Sequence, residues 1–291
     1  MLSRRLLPTV LASVAVIAAM STAPAAADDD EYIPHVWVYS GTQNFRHASI
    51  PHAKEVLAAL AASTGAFTVE FTENPLDLTA AMLARTDVAL FLSPSGIVQP
   101  GQVAYVNSEN APFSAAQRAA FVGWVQCGGG FIAVHQAADS YDDWPEWNEL
   151  VGARFLLHPI WTSNPRAVLR VAAQAHPATA PWHGMASFEL AEEYYAWRPG
   201  DTPDKLTSDF APLLRLTRFT DPAVDATWGA AFQDDQPLAW TSTFRGKNRS
   251  FYTNLGHSDS TWDRPDFRAH IVNGLDWVAQ HRVDRVCVAA G

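Results

Sequence analysis

Short apolar runs closed by polar or glycine-rich segments recur through the first half of the chain. Residues 35–40, 67–71, 87–92 and 130–134 each have the length and bounding turns of a strand. The last of these, Phe131 to Val134, shows no alternation, follows Gly128-Gly129-Gly130 and stops at His135, the pattern of a strand buried on both faces. Helical spacing fills the intervals. Ala53, Val56, Leu57, Leu60 and Ala61 follow Pro51 and run to Gly65. Residues 79–85 make a short helix, and 97–112 lack periodicity and read as a loop. Ser114 caps a further helix with Ala115, Phe121, Val122 and Val125 on its apolar face, and Gly128 stops it. Strands alternating with helices predict a parallel sheet covered on both faces.

The pattern changes after His135. Residues 144–151 suggest a short helix, but 166–172, 187–190, 213–217, 238–243 and 249–253 read as strands. Helical spacing returns with Phe267, Ile271, Leu275, Trp277 and Val278 behind Pro265. This half reads as strand-rich additions lying over one end of the sheet, with one or more strands returning to it.

The first 27 residues carry Arg4 and Arg5, an apolar stretch from Leu6 to Met20 and then Ala25-Ala26-Ala27. A charged segment, an apolar core and a small-residue cleavage site make a secretory signal peptide. A membrane anchor fits less well, because the stretch is short and contains Pro8. The adjacent arginines admit a twin-arginine route. Residues 28–34 form an acidic leader, 35–281 the folded domain and 282–291 a tail. Losing Arg4 and Arg5 with the signal peptide takes the formal charge from −10 to −12. That charge argues against nucleic acid and anionic membrane as partners. Eleven tryptophans in an acidic exported chain suit sugar stacking, although core packing is the commoner use of any one of them. Export permits a bridge between Cys127 and Cys287, though two cysteines alone do not establish one. Neither has a partner at zinc-ligand spacing.

Chemistry gathers at strand ends. His47, His135 and His257 each follow a predicted strand, and in a parallel sheet such positions share one edge. Neutral imidazoles there suit a divalent cation or a general base; singly, each could merely cap its strand. Glu192-Glu193-Tyr194-Tyr195 follows another strand and could supply an acid, a base or a ligand, or could be a solvated turn. Two familiar sites are excluded. Gly128-Gly129-Gly130 precedes its strand, so it cannot cradle phosphate at a helix N-terminus, and no Gly-x-Ser-x-Gly elbow occurs. Cys127 sits at the far end of its strand from His135 and cannot be the nucleophile of a site there.

Several segments, in order, resemble the ThuA-like (trehalose utilisation) family. They are Ser40-Gly41-Thr42 with Phe45-Arg46-His47; Gly128 to Phe131 running through His135-Gln136-Ala137-Ala138; Leu150-Val151-Gly152-Ala153 with Phe155 and His158-Pro159; His176-Pro177; Glu192-Glu193-Tyr194-Tyr195; Pro237-Leu238-Ala239-Trp240; and Tyr252 to His257. The resemblance implies a flavodoxin-like, doubly wound α/β core similar to class I glutamine amidotransferases. Their nucleophilic cysteine sits at the strand end that His135 occupies here, so amidotransferase chemistry is not expected. Two departures are Glu192-Glu193 where an Asp-Glu pair is usual, and Gln136 where alanine is common.

The expectation is therefore an exported carbohydrate-processing enzyme of hydrolase or lyase type, acting on a sugar or keto-sugar. His135, Glu193 and His257 are its candidate catalytic residues, with Glu193 as acid/base. His47, His135 and His257 are candidate ligands for a divalent cation, zinc first, and no nucleotide cofactor is expected. His47, His158, Tyr195, Trp144 and Trp262 are candidate sugar contacts, with Trp161 a further stacking candidate. The partner would be a small carbohydrate. The rival readings are a non-catalytic sugar-binding accessory protein and a vestigial structural domain.

Overall fold

A computed structural model describes residues 32–96, 112–159, 164–232 and 234–290. The predicted signal peptide, most of the acidic leader, nearly all of the predicted 97–112 loop and Trp161 lie outside the described residues. Contacts divide the chain between Tyr32 and Ile33, and the fold is that of the second unit. Its first half runs β1 (His35–Tyr39), α1 (Ile50–Thr64), β2 (Thr68–Thr72), α2 (Ala80–Arg85), β3 (Val88–Leu92), α3 (Ala115–Gln126) and β4 (Gly130–Val134). Then follow α4 (Pro145–Val151), β5 (Phe155–Leu157), β6 (Arg166–Val171), β7 (Ser187–Ala191), β8 (Ala196–Trp197), α5 (Pro203–Leu206), β9 (Ser208–Phe219) and α6 (Pro222–Trp228). The chain closes with β10 (Gln236–Thr243), β11 (Ser250–Thr253), α7 (Asp259–Trp262), α8 (Pro265–Ala279) and α9 (Arg285–Ala290).

One sheet of nine strands has the order β2-β1-β3-β4-β11-β10-β9-β6-β7. Neighbours from β2 through β11 are parallel, and every pair from β11 to β7 is antiparallel. The parallel part thus has the 2-1-3-4-5 order of flavodoxin-like sheets, with β11 as the fifth strand. Side chains alternate between two cores, as a pleated strand requires. Val36, Val38, Leu90, Ile132 and Phe251 face α1 and α8, while Trp37, Tyr39, Phe91, Phe131 and Tyr252 face α2, α3 and α4. The glycine run before β4 is a packing requirement. A Cβ at Gly130 would stand 2.5 Å from the Val278 side chain, so only glycine lets α8 lie this close.

The second half departs from expectation in one respect. Its strands do not lie over an end of the sheet; β10, β9, β6 and β7 extend the same sheet sideways. A separate pair, β5 with β8, is all that stands apart among the described residues. β9 also begins at Ser208, five residues before the expected start at Leu213. Ser208, Asp209 and Pro212 disguise that stretch as a loop. Pro212 is tolerated because it pairs only with Trp240 of β10; the β6 register stops at Leu214.

Cys127, at the end of α3, is joined to Cys287 of α9 by a disulfide across a separation of 160 residues. The expected tail therefore carries a helix pinned to the body. The Asp284 N–H donates to the Cys127 carbonyl at 2.7 Å, and Arg285 pairs with Asp87. Among the described residues no helix is long and apolar enough to cross a membrane.

Candidate functional site

Parallel strands carry their following residues to one edge, and three histidines arrive there together. His47 lies in the loop between β1 and α1, His135 immediately follows β4, and His257 follows β11. His135 opens a short 3-10 turn, His135–Asp139, with φ of +50°. A left-handed backbone at a non-glycine residue costs about 1–3 kcal/mol and must be held by its surroundings. Two bonds hold it. The Tyr252 hydroxyl donates to the His135 carbonyl at 3.0 Å, and His135 Nδ1 lies 2.7 Å from the Asn254 carbonyl.

These partners settle which nitrogens face the site. A carbonyl oxygen only accepts, so His135 Nδ1 carries the proton and Nε2 presents a lone pair. His47 Nδ1 likewise donates to Gln136 Oε1 at 2.7 Å, which turns its Nε2 inward as an acceptor. The two Nε2 atoms stand 3.1 Å apart. Glu193 Oε2 lies 3.1 Å from His135 Nε2, 3.6 Å from His47 Nε2 and 3.2 Å from His257 Nδ1. His257 Nδ1 is 3.4 Å from His135 Nε2.

One ligand atom from each of these four residues falls within 4.8 Å of all the others. A tetrahedral zinc site with bonds of 2.0–2.1 Å has ligand atoms about 3.3 Å apart. The spacings therefore fit a divalent cation, and so does the chemistry. Facing lone pairs beside a carboxylate repel one another unless a cation or shared protons lie between them. Gln136 and Asn254 supply the outer hydrogen bonds that metal-bound imidazoles typically have.

Glu193 reaches this point by a longer route. β7 is the outermost strand of the antiparallel half, yet its direction again matches that of β11. The chain leaving β7 returns along the carboxyl edge and is anchored by Glu192, which is fully buried. Glu192 Oε1 accepts from the N–H groups of Gly256 at 2.6 Å and His257 at 3.0 Å. Its Oε2 accepts from the Glu193 N–H at 3.2 Å. Gly256 has φ of +113°, and its carbonyl accepts from Trp262 Nε1 at 3.0 Å and Ser49 Oγ at 3.2 Å. One loop is thus tied to β7's exit, to α7 and to the start of α1.

The protonation states follow from burial and contact. Burial pushes His135 down to about 4, with Glu193 opposing, so its imidazole is neutral at physiological pH. Burial alone would raise Glu193, but its close contacts with His135, His257 and His47 outweigh burial and hold the carboxyl far below its usual range. Burial lowers His257, yet its hydrogen bond to Glu193 and that residue's charge raise it overall. Burial also lifts the Tyr195 hydroxyl well above its ordinary value, so it stays a donor, 3.2 Å from His135 Nε2. Glu192 is pushed up to about 7 by burial, against the pull of its backbone donors.

The structure brings together His47, His135, His257, Glu193 and Tyr195, and sets His158 Nδ1 3.3 Å from Glu193 Oε1. It does not bring Trp144 or Trp262 to the cluster. Trp144 is buried among Phe113, Phe121 and Trp147, and Arg118 covers its ring. Trp262 is buried against Phe267 and props Gly256 from behind. Neither offers a stacking face; both follow the commoner rule that tryptophan fills the core. The open aromatic beside the site is Phe45, 59% exposed, its ring 4.9 Å from that of His47. On the other side Phe155 packs against Tyr195 at 4.6 Å. Sequence reasoning assigned no role to Asn254 or Tyr252. Gln136 carried a signal, as a departure from the family's usual residue, without showing that it would orient His47.

Strand order and edge chemistry together define a doubly wound α/β protein with a histidine-carboxylate cluster at its carboxyl edge. The model of the ThuA family, described as trehalose utilisation, matches residues 35–278, and the chain belongs to that family. Among solved structures, a ThuA-like protein from Bacteroides uniformis ATCC 8492 aligns with a TM-score of 0.63 and 23% identity, over 88% of this chain and 95% of that one. Another, from Parabacteroides merdae ATCC 43184, aligns with a TM-score of 0.59 and 17% identity, over 87% and 92%. The glutaminase domain of a Trypanosoma brucei CTPS gives a TM-score of 0.43 and 8% identity, over 87% and 98%. No curated protein matches the sequence.

Proposed function

We propose that the chain is an extracytoplasmic carbohydrate-processing enzyme of hydrolase or lyase type, acting on a sugar or keto-sugar with the help of a divalent cation. The facing Nε2 atoms of His47 and His135, 3.1 Å apart with Glu193 between them and His257, carry this reading. The family's link to trehalose utilisation supports the substrate class. The Cys127–Cys287 disulfide supports export, since such bridges persist in oxidising compartments.

His47, His135, His257 and Glu193 would hold the cation. When bound, it would polarise a substrate carbonyl or lower the pKa of a bound water. The chain's own groups do the remaining work. The Tyr195 hydroxyl, kept protonated by burial, offers a hydrogen bond to a sugar oxygen. His158, partly exposed beside Glu193, marks the side from which substrate enters. Phe45 lies open at the rim, where a pyranose face could rest on it.

One observation favours a second reading. Four protein ligands close a tetrahedral shell, which is commoner in structural than in catalytic zinc sites. A non-catalytic sugar-binding protein would suit such a shell. Incubating zinc-loaded protein with trehalose and with 3-keto-trehalose, followed by product analysis by NMR, separates the two. New products establish the enzyme, and calorimetric binding without products establishes the accessory protein.

A further inference from the structure

We propose that His158 is a positioning residue: it holds Glu193 as a one-oxygen ligand and so makes the cluster select cations content with four ligands, zinc or cobalt(II), over manganese(II). The inference rests on the reading of the cluster as a divalent-cation site and adds what decides which cation it takes.

The two oxygens of Glu193 have different neighbours. Oε2 makes the close contact with each imidazole of the cluster, 3.1 Å from His135, 3.6 Å from His47 and 3.2 Å from His257. Oε1 makes the contact with His158, 3.3 Å from its Nδ1. That nitrogen also lies 3.3 Å from the Pro159 carbonyl, which only accepts, so Nδ1 carries a proton. An N–H beside a carboxylate oxygen attracts it, more strongly where bulk water is thin, and Glu193 is largely buried. Oε1 is thereby drawn toward His158 while Oε2 stays on the side of the three imidazoles.

His158 is itself anchored. It follows β5, which pairs with β8, and β8 begins directly after Glu193-Tyr194-Tyr195. A two-stranded pair is marginal by itself. Here Arg154, just before β5, and Arg198, just after β8, both reach Asp142, at 2.9 Å and 2.7 Å. Arg198 Nε also donates to the Phe155 carbonyl at 2.9 Å. Asp142 closely follows the turn that begins at His135, so the pair is clamped to the backbone of the central imidazole. With Phe155 packed on Tyr195, the His158 ring stands 6.1 Å from the Tyr195 ring. The strands that stand apart from the main sheet thus set His158 against the cluster.

The way a carboxylate binds decides which cation it suits. One that gives both oxygens raises the coordination number and adds hard oxygen donors, conditions that favour manganese(II). One that gives a single oxygen beside three imidazoles makes the nitrogen-rich shell of four that favours zinc. Without the His158 N–H, Oε1 is free to turn inward beside Oε2.

The test loads the full chain with cobalt(II), whose visible absorption is strong at four ligands and weak at six, and measures zinc against manganese(II) by competition titration at one neutral pH. Wild type should show the strong band. His158→Ala should weaken it severalfold and lower the zinc-over-manganese preference about 10–100-fold. Circular dichroism should be unchanged, because the side chain is partly exposed. His158→Gln, whose amide can donate in place of Nδ1–H, should restore both the band and the preference. A weak band in wild type, an unchanged band or preference in His158→Ala, or an equal loss of zinc and manganese affinity there overturns the proposal and leaves the cluster a cation site. Failure of wild type to bind zinc or cobalt at all refutes that reading of the site, and the role of His158 with it.

Discussion

His47 and His135 meet Nε2 to Nε2 at 3.1 Å, each having already given its one ring proton, on Nδ1, to an acceptor on the protein. The arrangement is imposed by Gln136 and Asn254, not by the imidazoles themselves. It gives the outer residues a measurable share in whatever the cluster binds.

Gln136→Leu keeps the side chain's bulk but removes the acceptor for His47 Nδ1. The ring is then free to rotate or change tautomer, and zinc affinity should fall about 10–100-fold. Calorimetric titration of the apoprotein reads this directly. Wild-type affinity in the variant would show that the orientation of His47 is fixed by packing alone.

Phe45→Ala should raise KM for a turned-over sugar about tenfold and leave zinc stoichiometry unchanged, because the ring packs edge-on against His47 and supplies no ligand atom of its own. Trp144→Phe, by contrast, should lower stability with KM unaffected. Steady-state kinetics beside urea unfolding distinguish the rim from the core.

His270 sets an acid limit on stability. It is fully buried, with Nδ1 donating to the Ala178 carbonyl at 2.6 Å and Nε2 3.3 Å from Thr253 Oγ1. Burial pushes it down to about 4, with His176 and Asp266 as smaller, opposed influences. The unfolded chain titrates this group near about 6.5, so between these values the unfolded state binds more protons. Stability from His270 is complete above about pH 6.5 and is lost as pH falls toward 4, by roughly 3 kcal/mol in all. Urea midpoints should show that slope in wild type and a shallower one in His270→Gln; equal slopes would refute it.

Reducing the Cys127–Cys287 bridge, which spans 160 residues, should lower stability by about 3–5 kcal/mol. The Cys287→Ser variant should reproduce the shift in denaturation midpoint, and zinc affinity should be unaltered because the bridge lies at the opposite end of β4 from His135. A parallel fall in zinc affinity would show that the two ends of the strand are coupled.

The parallel half of the fold was legible because its strands are continuous apolar runs separated by capped helices. The convergence of His47, His135 and His257 followed from parallel order alone. Glu193 was visible as a candidate, but its arrival was not, since it depends on β7 lying four strands beyond β11 and pointing the same way. Strand order in an antiparallel extension leaves no local periodicity to read. Trp144 and Trp262 misled for a related reason: composition counts aromatic rings without saying which are covered. The 3-10 turn after β4 escaped because Gln136, Ala137 and Ala138 carry no cap or stop signal, and the positive φ of His135 is sustained by distant partners.

The return of the chain from β7 to Glu193 gives the cluster a mechanical meaning. Three of its members follow parallel strands and the fourth follows the outermost antiparallel one, so anything held among them acts as a clasp across the sheet from β1 to β7. A ligand there would stabilise the assembled sheet by an amount that grows with the logarithm of its concentration over its Kd. A slip of one residue in the outer strands would release Glu193 and dismantle the grip. Occupancy of the cluster would then report that the last strands have been seated in register.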